Sequence, residues 1–440
     1  MMSRILSITL AGLAAAFAVA AVQTGEQHLP VLIAALGALA VTLATAFIPA
    51  LRASLGGALR ALRERASLFW LLILVYICVW IGGWVVPWQP TSGRAAHPAE
   101  YAYLLTGLWL LLTLLFFGAT PDHARAVAAR LGRSKLTGAL VTLTTVVILF
   151  WGIEAYLRIF YITTDAFGFT AMNYHWYRNF GWGQDNSLGF RDREPKPDAP
   201  DRIRVGILGD SFAMGHGIND LNATFGQLLE DALPANYDVN IIARSGWDTD
   251  VQLYELNRYP LRPDIVVLSY YLNDIDFQLT GTDANPDAAF DFPDSPILNW
   301  FVLNFFGPNY VYYNLIQFTS PQRTGDFLSD LLGAYDDEAI WGRQAQLLYE
   351  IVLWARDHNV RLIALLWPHL TAVESSQPAL ERLRAFFADQ GVTVVDMTDA
   401  VRANLGNPAL IVNNFDTHPG PLAQRLAAEA LYAAIMGMEG

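Results

Sequence analysis

The sequence predicts two parts: a membrane region of about five helices over residues 1–158, and an α/β domain over 202–440 with a parallel sheet between helical layers. Three observations predict this. Long apolar runs crowd the first third of the chain. Basic residues collect in alternate loops between those runs. Beyond 202, apolar runs of strand length alternate with helical patterns.

The 440 residues are 53% hydrophobic and 12% aromatic, above the soluble average. The excess sits in runs at 5–22, 29–48, 68–86, 101–117 and 136–157. Each approaches the roughly 20 apolar residues that cross a bilayer. They lack the polar stripe at helical spacing that a soluble helix turns to water. Arg4 precedes the first run, Arg52, Arg60, Arg63 and Arg65 separate the second from the third, and Arg125, Arg130, Arg133 and Lys135 separate the fourth from the fifth. The alternate loops, 23–28 and 87–100, carry only Arg94. Basic loops stay cytoplasmic, so the N-terminus is expected inside and the chain beyond 158 outside. Arg4, the apolar centre and the small-residue ending "AVAA" of the first run also suit a cleavable signal peptide. Either reading leaves the C-terminal domain outside, at a bacterial plasma membrane.

Residues 1–158 hold 11 basic and 5 acidic side chains, and the remainder 17 and 36. So acidic an outer domain argues against binding nucleic acid through broad electrostatics. The single cysteine, Cys78, lies in the third apolar run. That excludes a disulfide, a CxxC redox motif and a cysteine-rich zinc site in the outer domain. Neither a metal nor a cofactor is expected, and the oligomeric state is open.

Residues 159–201 are expected to form a juxtamembrane segment and linker. Rings such as Tyr174, Trp176, Tyr177 and Trp182 suit either a membrane interface or packing against the domain. "REPKPDAPD" at 193–201 reads as a polar linker. Strands are expected at 203–208, 237–242, 264–270, 360–366 and 392–395, and helices at 224–233, 250–259, 339–359, 379–390 and 422–436. Continuous apolar strands alternating with helices indicate a parallel sheet buried on both faces. An aromatic insertion at 277–337 breaks the rhythm.

Sites in open parallel sheets form at the carboxyl ends of strands. Gly209, Asp210 and Ser211 follow the first strand, Ser245 and Gly246 the second, and Asn273 and Asp274 the third; Asp416 and His418 precede the closing helix. A serine hydroxyl needs a base, and the base needs a carboxylate to hold its tautomer. Ester cleavage also needs donors for the developing oxyanion. Ser211, His418 and Asp416 suit the first three roles. The backbone N–H groups of Ser211 and Gly246, with the Asn273 amide, suit the oxyanion hole. Asp210 and Asp274 are expected to hold loops. His216 and His369 are less favoured bases, with no carboxylate at close spacing. The acidic stretch with Asp283, Asp287, Asp291 and Asp294 lacks the glycine and glutamate of an EF-hand. The GxSxG elbow fails at Ala213.

The blocks "GDSF", "SGWDT", "YLND" and "FDTHP" occur in order. In this the chain resembles the SGNH, or GDSL, hydrolases from about Asn186 onward. The stretch "NSLGFRDRE" looks like a lead-in of membrane-tethered members. The resemblance implies a flavodoxin-like three-layer α/β/α fold, Ser211 as nucleophile and no cofactor. Three departures stand out. Leu272 replaces the glycine that usually opens the third block, an asparagine upstream of the second is absent, and two rather than three residues separate Asp416 from His418. The leading expectation is a membrane-anchored serine esterase acting on acyl, including O-acetyl, esters of an envelope glycan or lipid. One alternative is an O-acyltransferase modifying such a glycan or glycolipid. Another is a non-catalytic glycan-binding or assembly protein on the same fold.

Overall fold

The computed structural model describes residues 161–165, 170–279, 295–319 and 321–437, with isolated positions between 129 and 157. Four of the five expected spans lie wholly outside the described residues, and the fifth for the most part. Among the described residues no helix is long and apolar enough to cross a membrane. The chain divides into units Met1–Tyr161 and Ile162–Gly440.

In the second unit, five strands form one parallel sheet: β1 (Ile203–Gly209), β2 (Tyr237–Ala243), β3 (Ile265–Tyr270), β4 (Arg361–Leu366) and β5 (Thr393–Asp396). Their order is β2-β1-β3-β4-β5. Both faces are buried, which is why the strands read as unbroken apolar runs. Alternate residues feed two cores. Val205, Ile207, Ile265, Val267, Ile363 and Leu365 join the one that holds Phe225, Leu229, Leu431 and Ile435. Leu208, Val266, Leu268, Ala364 and Leu366 join the other, with Leu348, Ile351, Leu380 and Phe387. Helices Phe225–Ala232 and Pro421–Gly437 therefore cover one face, and Glu338–Asp357 and Gln377–Asp389 the other. This is the expected three-layer arrangement. The strand order reverses at β1, and the crevice for a ligand opens there, at the carboxyl ends of β1 and β3.

Two features differ from expectation. The domain boundary lies at Ile162 rather than 202. The helix Ala171–Trp176 runs into a π turn, Tyr177–Gly181, and buries Met172 and Trp176 completely. The aromatic side chains of this segment gain more by packing on the α/β core than a free linker would allow. The proline-rich stretch is held as well, through Arg193 to Asp231 at 2.6 Å and Lys196 to Glu230 at 2.7 Å. The second difference is an antiparallel hairpin, β6 (Ile411–Asn413) with β7 (Asp416–Pro419), before the last helix. Within the insertion, helices Pro296–Asn304, Phe306–Thr319 and Pro321–Asp336 are formed. The residues Asp283, Asp287, Asp291 and Asp294 lie outside the described residues.

Candidate active site

β1 ends in Gly209, and the chain turns into the short helix Ser211–Met214. Asp210 caps it, its Oδ1 accepting the Phe212 N–H at 2.8 Å. This places Ser211 at a helix N-terminus at the mouth of the crevice. Ser211 Oγ lies 2.8 Å from His418 Nε2 and 3.2 Å from Asp210 Oδ2. His418 Nδ1 donates to Asp416 Oδ1 at 2.5 Å, and the His418 backbone N–H donates to the same oxygen at 3.0 Å. With Nδ1 protonated, Nε2 is the acceptor for the serine proton. The two-residue spacing follows from β7: residues i and i+2 of a strand share a face, so Asp416 and His418 project to the same side.

Asp416 is enclosed by donors. Thr164 Oγ1 donates to its Oδ2. His216 Nε2 lies 3.5 Å from that oxygen, and the His216 ring centroid is 4.3 Å from that of His418. His216 Nδ1 meets Tyr177 Oη at 3.1 Å and Ser245 Oγ at 3.4 Å. Burial alone would raise the Asp416 carboxyl, but the His418 charge, then the hydrogen bonds, hold it down at about 2. Burial and the neighbouring His418 push His216 down to about 3, so it stays neutral. Burial also pulls on His418, but the charge and hydrogen bond of Asp416 outweigh it and raise the imidazole above its ordinary value. Asp416 is thus a fixed anion and His418 a strengthened base. Ligand atoms of His216, Asp416 and His418 lie within 4.8 Å of one another, close enough for a metal ion. Both His418 nitrogens and both Asp416 oxygens are already engaged by Ser211, Thr164 and each other, so a cation here would take apart the Ser–His–Asp chain.

Gly246 follows β2 with φ of +75°, and a Cβ there would meet no atom within 4 Å. Its backbone therefore fronts open space. Asn273 follows β3 in the 3-10 turn Leu272–Leu279, and its Oδ1 has no partner among the described residues. Both neighbours of Asn273 are pinned. Tyr335 Oη donates to the Leu272 carbonyl at 2.8 Å, and Thr249 Oγ1 to the Asp274 carbonyl at 3.3 Å. Gln252 Nε2 donates to Asp274 Oδ1 at 3.0 Å, while Gln344 Nε2 reaches Thr249 Oγ1 at 2.7 Å and Tyr270 Oη at 3.1 Å. Asp210 and Asp274 are both fully enclosed. Burial raises Asp210 to about 6, and burial with the nearby Asp210 holds Asp274 well above the ordinary carboxylate range. His369 instead turns toward Thr371, whose Oγ1 lies 3.2 Å from its Nδ1.

The structure brings Ser211, His418 and Asp416 into one hydrogen-bonded chain, with Gly246 and Asn273 following neighbouring strands. No family model and no curated protein matches the chain. Solved structures do. A member of the lipolytic protein G-D-S-L family from Veillonella parvula is 14% identical, covering 54% of this chain and 100% of that one, with a TM-score of 0.32. The lipase/acylhydrolase from Enterococcus faecalis is 14% identical, covering 54% and 96%, with a TM-score of 0.32. The psychrotrophic esterase EstA from Pseudoalteromonas sp. is 15% identical, covering 54% and 98%, with a TM-score of 0.30. The C-terminal portion is similar to the SGNH hydrolases.

Leu272, which stands where the sequence resemblance implies a glycine, is fully buried beside Ile275, and its carbonyl is held by Tyr335. Beside the site lies a cavity of about 460 Å³, lined by Tyr177, Trp182, Asp185 and Arg244, with Ser245 and Gly246 at one edge. Arg191 also lines it and is fully committed, donating to Phe180 O, Met214 O, Gly215 O, Ile218 O and Gln184 Oε1. Sequence reasoning did not find Thr164, Tyr177, Tyr335 or Gln344. Single polar residues within apolar or mixed helical stretches carry no motif, and their partners are remote in the chain.

Proposed function

We propose that the chain is a membrane-anchored, extracytoplasmic serine esterase. The observation that carries the chemistry is the continuous path Ser211 Oγ, His418 Nε2, His418 Nδ1, Asp416 Oδ1, at 2.8 and 2.5 Å. His418 takes the proton from Ser211 as Oγ attacks the ester carbonyl carbon. The oxyanion that forms is held by the N–H groups of Ser211 and Gly246 and by the Asn273 amide. Collapse of the tetrahedral intermediate expels the alcohol, which takes the proton back from His418. An acyl-enzyme on Ser211 remains. Water, activated by His418, then releases the acid. The five apolar runs and their alternating basic loops support the anchoring and the extracytoplasmic side.

A fluorophosphonate probe tests the reading. The wild-type chain should be labelled at Ser211, and Ser211→Ala should not. Equal labelling of the two proteins would refute the assignment. Cysteine-accessibility mapping tests the orientation. A cysteine introduced on the surface of the second unit should react with a membrane-impermeant reagent from the side opposite the cytoplasm. Protection there would reverse the placement.

A further inference from the structure

The cavity next to Gly246 has a composition that the hydrolase chemistry alone does not require. Its volume of about 460 Å³ falls within the roughly 300–1,000 Å³ of small-ligand sites. Trp182 presents a large ring to it and is 46% exposed. The indole is not loose. Tyr177 stacks on it at 5.5 Å and 23°, and Tyr174 meets it edge-on at 5.5 Å. An indole held by two rings and still 46% exposed is a flat apolar platform.

The rim is polar. Arg244 and Asp185 line it 3.5 Å apart, with side chains 43% and 26% exposed. Arg244 Nη2 also donates to the Gly189 carbonyl, which fixes the guanidinium in place. Arg191 lines the cavity too, but its N–H groups are spent on Phe180, Met214, Gly215, Ile218 and Gln184, so the polar groups left to a ligand are the facing Arg244 and Asp185. They offer carboxylate acceptors and guanidinium donors to a neutral ligand rich in hydroxyls. An acyl chain would cover this charged pair without offering it a hydrogen bond, whereas hydroxyls can bond both of its members. A pyranose fits both features: its C–H face lies on the indole and its hydroxyls bond the rim.

We propose that the alcohol half of the ester is a neutral carbohydrate, with a sugar ring on Trp182 and hydroxyls bonded to Asp185 and Arg244. The inference rests on the serine esterase reading. In the acylation step the bond from Ser211 Oγ to the acyl carbon forms and the bond from that carbon to the sugar oxygen breaks. The serine proton passes through His418 to the sugar oxygen, so the sugar leaves as a free alcohol. In the second step water supplies hydroxyl to the acyl group and a proton to Ser211.

The test uses the full chain in detergent. Its substrates are a panel of acetylated xylo-, manno- and glucosamine oligosaccharides, p-nitrophenyl acetate and p-nitrophenyl decanoate. The expected result is that at least one acetylated oligosaccharide is preferred over both synthetic esters. Trp182→Ala should reduce that preference, as a ratio of kcat/KM values, by about tenfold, the scale of one lost aromatic contact. Trp182→Phe, which keeps a ring, should retain most of it. As a readout independent of turnover, the Ser211→Ala chain should show saturation-transfer NMR contacts between the preferred oligosaccharide and the cavity, lost in Ser211→Ala/Trp182→Ala. Fluorophosphonate labelling of Ser211 separates the two readings. If Ser211 is not labelled, the esterase reading itself fails. If it is labelled but the preference ratio does not respond to Trp182, the carbohydrate assignment is overturned. A Trp182-dependent preference for p-nitrophenyl decanoate would overturn it in favour of an acyl-chain site.

Discussion

Thr164 joins the site from a segment that the sequence places in a linker, and its replacement by valine tests that placement. Valine keeps the shape and removes the hydroxyl that donates to Asp416 Oδ2. Asp416 is fully buried, so water cannot take over the lost bond. A hydrogen bond to a buried charge is worth roughly 1.5–3 kcal/mol. For a unit of this size, that lowers the thermal midpoint by roughly 3–6 °C. The catalytic effect should be smaller than loss of the carboxylate itself, which in serine proteases costs about 10⁴-fold in kcat. Asp416 keeps both of its bonds from His418, so the loss comes from looser positioning. The expected fall in kcat is about tenfold, with KM changed less than about twofold. Steady-state hydrolysis of p-nitrophenyl acetate and a thermal melt read the two effects, and Thr164→Ser should restore both. If Thr164→Val matched wild type in kcat and in melting, Thr164 would have no part in holding Asp416, and the reasoning would be wrong.

Three further outcomes are expected. kcat/KM should rise with pH as His418 loses its proton, with a midpoint above the ordinary 6.5 because Asp416 raises it against burial. Asp416→Asn should lower that midpoint, since burial is then opposed only by the smaller effect of the Asp210 charge, and cut kcat by about 10⁴-fold; an unmoved midpoint would remove Asp416 from its role. The same linkage makes the His418 contribution to stability complete below pH 6.5 and lost as pH rises through its folded value; that of Asp416 is present above 3.8 and lost as pH falls toward about 2. Tyr335→Phe removes the hydroxyl that holds the Leu272 carbonyl and should lower kcat about fivefold, with no further loss on an Asn273→Ala background; additive losses in that double-mutant cycle would mean that Tyr335 does not act through Asn273. Gly217→Ala puts a Cβ on a residue at φ +81°, 2.5 Å from Val412 Cγ2 and 2.9 Å from Thr164 Oγ1, so it should destabilise by more than the roughly 1–2 kcal/mol of left-handed strain and lower kcat as well, as read by melting and turnover together.

Much of the fold was legible because it is local. β1, β3 and β4 are buried on both faces, so each stands out in the sequence as an unbroken apolar run of strand length. Each expected strand of the sheet and each expected helix forms within two residues of its expected ends. The hairpin β6–β7 was not legible. Its strands are three and four residues long, and their exposed and buried positions form no clear period. The aromatic segment was read two ways because rings suit both an interface and a core. Burial of Trp176 against Tyr177, Phe180 and the sheet decides the matter for this segment. Leu272 stands in the sequence as a departure from the glycine that usually opens its block. In the structure it is a core residue whose carbonyl is held from the last helix of the insertion.

The sequence by itself determined the order of strands and helices, the four chemistry-bearing stretches that follow β1, β2 and β3 and precede the last helix, and the pairing of Asp416 with His418 through their spacing. Those are properties of residues close together in the chain, where backbone geometry ties position to direction. Only the tertiary structure decided that His418 rather than His216 or His369 reaches Ser211, since three histidines of similar intrinsic chemistry differ only in where the folded chain puts them. It also decided that Thr164, 252 residues from Asp416, completes the carboxylate's shell, and that Trp182 and Arg244 share one cavity with Gly246. Such contacts form when distant segments close over a buried charge or a cavity. The free energy that selects them comes from the finished enclosure, and no local pattern carries it.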